Sequence, residues 1–142
     1  MLFLRDFFDN GLELHEIIHR INKDNAVALI KQMMAFSKQA RREGLLALED
    51  AVWEFNADYM SDSVVTFTKK MLSYIFDSYD PEIAETMACN YIAASHFSYD
   101  DTVQAVLIAN GVLMIQRGDN PKVLYQYLAS MLGIGVVPDL ED

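Results

Sequence analysis

Cysteine is almost missing from this chain of 142 residues: Cys89, in "TMACNYIA", stands alone. No intramolecular disulfide can form, which fits a reducing compartment, and the single thiol reads as a structural one packed in a core. Bases are scarce as well. Eleven Lys and Arg stand against 21 Asp and Glu, a net charge of −10, which disfavours binding to a nucleic-acid backbone or an anionic membrane surface. Proteins with basic patches, or small molecules, are the expected partners. Long apolar runs are missing too. The longest stretches free of Asp, Glu, Lys and Arg, "TVQAVLIANGVLMIQ" and "VLYQYLASMLGIGVVP", fall short of the ~18 to 20 residues that a bilayer span needs. No transmembrane helix is expected. Arg5 and Asp6 interrupt the apolar start "MLFLRDFFDN", and no small-residue cleavage site follows, so an unexported, cytoplasmic chain is expected.

Proline and glycine are few, three and six, and their placing is informative. In "DPEIAE" Asp80 precedes Pro81, and in "DNPKVL" Asn120 precedes Pro121; each pair reads as an N-cap followed by proline at the first helical position, where a missing N–H costs nothing. Alternation of β-branched residues with polar ones is lacking, whereas apolar residues recur at spacings of three and four almost throughout. The chain therefore reads as one all-α domain over residues 1–142, a compact bundle or array of about five to six helices with helix-turn-helix units. A length of 142 residues is enough for a single core.

A first helix is expected near 11–21, inside an N-terminal segment 1–24. Asn22 or Asp24 caps a long helical region over about 25–59, kinked near Gly44, and Ser61 or Asp62 caps the next helix. Ser98 or Asp100 caps another, and a glycine-rich, acidic tail occupies 134–142. At an offset of 40, "MLSYIFDSYDPEIAETMA" and "GVLMIQRGDNPKVLYQYL" share the order apolar helix, polar turn, cap, proline, helix, a weak internal repeat. In the long region Leu45, Leu48, Val52, Phe55 and Tyr59 form a core-facing stripe. A separate line of small residues, Ala40, Gly44, Ala47 and Ala51, offers a surface for close helix packing, within the fold or against a second copy of the chain. Eight methionines, Met33, Met34, Met60, Met71, Met87, Met114 and Met131 among them, read as core filler.

Of the short motifs, "HEIIH" at 15–19 carries the most chemistry. On a helix His15 and His19 lie one turn apart and can share a zinc ion, with Glu16 polarising a bound water. The surroundings argue for a plain amphipathic helix instead: Glu13 and Arg20 flank the motif, no GxxH follows to supply a third ligand, and His96 is the one other histidine. "RGD" at 117–119 reads as a helix end and turn. No cofactor motif, phosphate loop or Ser/His/Asp spacing stands out, so no enzymatic activity is expected.

Three segments, in order, resemble a known family. "ARREGLLALED" looks like the signature of the MotA family, the stator subunit of the bacterial flagellar motor, in the cytoplasmic loop after its second membrane helix. "MLSYIFDSYDPEIAETM" resembles the next part of that loop. "VLIANGVLMIQRGDNPKVLYQYLASML" is similar to the segment after the fourth membrane helix. The matches cover about residues 30–134, but the family's membrane helices are lacking: between the second and third segments stands "AASHFSYDDTV", which cannot span a bilayer. Ion conduction is therefore not implied. What the resemblance implies is a cytoplasmic protein at the inner face of the membrane that binds the rotor protein FliG or stator subunits. Arg41 and Glu49 take the places of the family's rotor-facing charges. On one continuous helix eight residues advance about 80° beyond two turns and about 12 Å, which puts both charges on one side.

Overall fold

In a computed structural model, residues 1–8 and 13–140 are described. Among these, seven α-helices follow a short 3-10 turn at Leu4–Phe7, and strands are lacking. They are α1 (Leu14–Arg20), α2 (Lys23–Glu43), α3 (Leu48–Trp53), α4 (Asp62–Phe76), α5 (Pro81–Ala94), α6 (Tyr99–Arg117) and α7 (Pro121–Ser130); a second 3-10 turn, Leu45–Ala47, leads into α3. The all-α expectation holds, with helix-turn-helix units and slightly more helices than expected.

The caps explain where the helices start. Asn22, Ser61 and Ser98 each accept a hydrogen bond from the backbone N–H three residues on, which satisfies one of the orphan donors of a helix N-terminus. The two proline turns are copies of one another. Asp80 and Asn120 sit at φ/ψ of −57°/133° and −58°/132°, and each side-chain oxygen accepts from the second residue after it at 2.8 Å. The repeat at offset 40 thus corresponds to α4–turn–α5 and α6–turn–α7. Gly118, at φ +79°, ends α6 in the left-handed conformation, and Arg117 pairs with Asp119 just beyond. The RGD letters are a helix end.

The core is organised round α6. Every residue from Thr102 to Ile115 is buried, and α6 packs against α2, α4, α5, α7 and the Leu4–Phe7 turn. A helix apolar on all sides belongs in the middle of a bundle, so one of the two long uncharged runs of the sequence is the central rod; no helix among the described residues is long and apolar enough to cross a membrane. Burying side chains such as Leu107, Ile108 and Met114 contributes about 1.5–3 kcal/mol each. Met33, Met34, Met60 and Met71 are buried as well, in keeping with methionine as core filler.

Polar groups on α6 are used as anchors. The Asn110 carboxamide, fully buried, accepts from the Leu2 N–H at 2.8 Å and donates to the Leu2 carbonyl at 2.9 Å. Gln104 donates to the Tyr59 carbonyl at 2.9 Å, and Gln116 to that of Tyr79 at 2.8 Å. Three irregular segments, before the Leu4–Phe7 turn, before α4 and before α5, are each fixed to the central helix by an amide. Unpaired, these backbone groups would be costly to bury.

Two expectations need correction. The helix near 11–21 covers Leu14–Arg20; residues 11 and 12 lie outside the described residues, as do 141 and 142 of the tail. The long helical region over about 25–59, expected to kink near Gly44, is broken at that glycine and ends at Trp53. Lys23–Glu43 ends at Gly44, whose φ/ψ of 90°/163° no helix interior can hold, and the chain continues through a 3-10 turn into the six residues of α3. Leu48, Val52 and Phe55 are nevertheless buried, while Leu45 and Tyr59 are half-buried, because the stripe is followed by the chain as a bend and not as one rod.

Candidate functional site

The segment that breaks the long helix also carries the residues singled out for partner contact. The last turn of α2 is "QARRE". Gly44 N–H donates back to the Ala40 carbonyl at 2.8 Å, and its positive φ turns the chain out of the helix. Gln39 braces the bend from inside, its amide donating to the Ala47 carbonyl and to Glu43, both at 3.3 Å. The result is an elbow between α2 and α3.

Gly44 is therefore a helix terminator and not part of a packing line. It is exposed, and nothing lies within 4 Å of the place a Cβ would take. Ala40 stays on α2, while Ala47 and Ala51, half-buried, belong to the turn and to α3. A continuous small-residue line across Ala40, Gly44, Ala47 and Ala51 is lost with the continuous helix. The close approach is made at Gly111 instead: a Cβ there would stand 2.7 Å from Met33 Cε on α2 and 3.5 Å from Leu128 Cδ1 on α7. The bare Gly111 gives the Met33 and Leu128 side chains room to pack against α6.

Arg41 and Glu49 are both exposed, on opposite sides of the break. The spacing of 80° and 12 Å assumed an unbroken helix and does not apply. Arg42, next to Arg41, lies 3.7 Å from Glu43. What the elbow adds is apolar surface: Leu46 and Trp53 are each 73% exposed. Beside Trp53 lies a hollow of about 180 Å³, with Glu49 and Trp53 on one wall and Lys69, Phe76 and Asp77 on the α4 side. Lys69 Nζ donates to the Trp53 carbonyl at 3.3 Å and ties the end of α3 to α4. The elbow so exposes charges of both signs, Arg41 and Glu49, together with two apolar side chains, Leu46 and Trp53. Trp53 and Leu46 were not singled out in the sequence, although both fall outside the Leu45/Leu48/Val52/Phe55 stripe, which was the available signal.

The HEIIH motif lies on α1. His15 and His19 are exposed and Glu16 is half-buried. His15 Nδ1 is 3.4 Å from Glu13, while the Lys23 ammonium, 2.9 Å from the His19 carbonyl, lines the same open groove as both imidazoles. A fixed cation there opposes a second one. Among the described residues no three His, Cys, Asp or Glu side chains converge as a metal-binding group, so the two histidines gain no third ligand. Cys89 is half-buried, and burial, followed by the nearby Glu85 carboxylate, raises its thiol pKa. That keeps the sulfur protonated and disfavours a nucleophilic role.

No family model, curated protein or solved structure matches this chain.

Proposed function

We propose that the chain is a non-enzymatic protein-binding module of the flagellar motor, similar to the cytoplasmic part of the MotA stator subunit, without its ion channel. On this reading it works at the inner face of the membrane and meets FliG, or another stator or motor component, through the elbow at residues 41–53. The observation that carries the proposal is the exposure of Arg41, Leu46, Glu49 and Trp53 on one short break in the helical chain. Its support in the sequence is the ordered likeness of three segments to that family. Apolar side chains at the centre of such a contact supply affinity, and flanking charges supply register and association rate.

The test is direct binding of the purified chain to the C-terminal domain of FliG and to the cytoplasmic loop of a stator subunit. Affinity for neither would falsify the motor reading. Arg41→Glu and Trp53→Ala should each weaken binding while helicity and unfolding midpoint stay unchanged, because both side chains are exposed. A loss of folding in Arg41→Glu would make that arginine structural.

A further inference from the structure

Charge on this protein is not evenly mixed. Acids outnumber bases 21 to 11, yet α2 carries Lys31, Lys38, Arg41 and Arg42 and no acid between Asp24 and Glu43. Lys31, Ala35, Lys38 and Arg42 follow the i, i+4, i+7, i+11 spacing of one helix face, and all four are exposed. Among the described residues neither the Lys31 nor the Lys38 ammonium has an ion-pair or hydrogen-bond partner. Arg42 has Glu43 at 3.7 Å, so among the described residues Lys31 and Lys38 are the cations of this face without an ion-pair partner.

It also borders a groove. A hollow of about 420 Å³ runs between this face and the chain after α7. Lys31 and Lys38 stand on the α2 side with Met34 and Ala35 between them, and Tyr125 and Leu140 form the opposite side. That opposite side is held in place, because the Tyr125 hydroxyl donates to the Pro138 carbonyl at 2.6 Å. Asp139 lies at the rim.

We propose that this groove is a docking site for an acidic amphipathic helix of a partner protein. Two carboxylates seven residues apart on that helix meet Lys31 and Lys38, and an aliphatic side chain between them enters the groove over Met34 and Ala35. Seven residues advance about 10.5 Å along any α-helix, so the spacing of the two ammonium groups on α2 is reproduced by the partner's own geometry. The aliphatic side chain contributes affinity by leaving water, and the ion pairs set register and rate. A nucleic-acid duplex offers the positive stripe charge but no aliphatic side chain for the groove over Met34 and Ala35. Lys31 and Lys38 lie outside the elbow, so the site is independent of the motor reading.

The probe is a fluorescently labelled synthetic helix with glutamates seven residues apart and leucines on the face between them, titrated with the full chain and followed by anisotropy. Saturable binding that weakens with added salt is expected, with a loss of about tenfold or more in Lys31→Glu/Lys38→Glu, a change equivalent to roughly 1.4 kcal/mol. A peptide with serines in place of the leucines should bind less tightly. The double variant Lys70→Glu/Lys122→Glu, which changes net charge by the same amount, should bind like the parent, and circular dichroism should find all variants equally helical. No binding of the probe, or equal binding by parent and Lys31→Glu/Lys38→Glu, overturns the proposal. So does tighter binding to phosphatidylserine vesicles or duplex DNA than to the peptide.

Discussion

Asn110 and Leu2 hold each other by two hydrogen bonds, the carboxamide of the one closing on the N–H and C=O of the other at 2.8 and 2.9 Å. The pairing resembles one rung of a β-ladder supplied by a side chain in the middle of a helix. Asn110→Ala leaves both backbone groups of Leu2 without a partner in a buried place. The expected cost is about 2–4 kcal/mol, read as a lower urea midpoint with an unchanged slope. A loss below about 1 kcal/mol would mean that the N-terminal segment contributes little to the fold.

Neither Gly44 nor Gly111 should show the full gain of stability that alanine brings to an ordinary helix interior. Gly44 stands at φ +90° in open space, where any side chain strains the backbone, so Gly44→Ala is expected to destabilise by about 1–2 kcal/mol. Were it inside a helix, the same change would stabilise by about 1 kcal/mol; the sign of the shift in melting temperature decides. Gly111 lies inside α6, where alanine favours the helix but its Cβ meets Met33 Cε at 2.7 Å. That methyl is the end of a flexible chain, so Gly111→Ala should fall within about 1 kcal/mol of neutral, whereas Gly111→Val should cost about 2–3 kcal/mol through overpacking.

Alkaline unfolding should trace in part to Tyr74, alongside Tyr59 and Tyr125, whose phenol pKa values burial also raises. The Tyr74 ring stacks on Tyr79 with centroids 4.9 Å apart, and its hydroxyl is 2.8 Å from that of Tyr91. Burial, then the hydrogen bond to Tyr91, raises its phenol pKa from 10.0 to about 12. The folded chain keeps a proton that the unfolded chain gives up, so this contribution is complete below pH 10.0 and is lost as pH rises through about 12. Melting temperature should decline across that window in the parent. Tyr74→Phe, though less stable at neutral pH, should decline less steeply there, and parallel curves for the two proteins would refute the assignment.

Much of the fold is legible in the residues because helix starts are local events. Asn22, Ser61, Asp80, Ser98 and Asn120 each need only a backbone N–H two or three residues away, and the sequence contains both partners of every such bond. The elbow is legible in part. A glycine among helix formers signals a kink, a terminator or a close approach, and which of these it is depends on what stands opposite. At Gly44 nothing does; at Gly111 two helices do. The bonds of Asn110, Gln104 and Gln116 reach 108, 45 and 37 residues along the chain, beyond any local pattern. The basic stripe of α2 was present as letters, but the groove beside it depends on where Tyr125 and Leu140 come to rest.

The position of α6 late in the chain has a consequence for biosynthesis. The segments at Leu2, Tyr59 and Tyr79 emerge from the ribosome well before the amides that fix them, and α2, α4 and α5 emerge before the rod they pack against. At about 5–20 residues per second, the first five helices spend seconds as nascent chain with their apolar faces bare. Such a protein completes its fold only after α6 and then α7, which packs along α2, have emerged, and until then the surface they cover stays open to water.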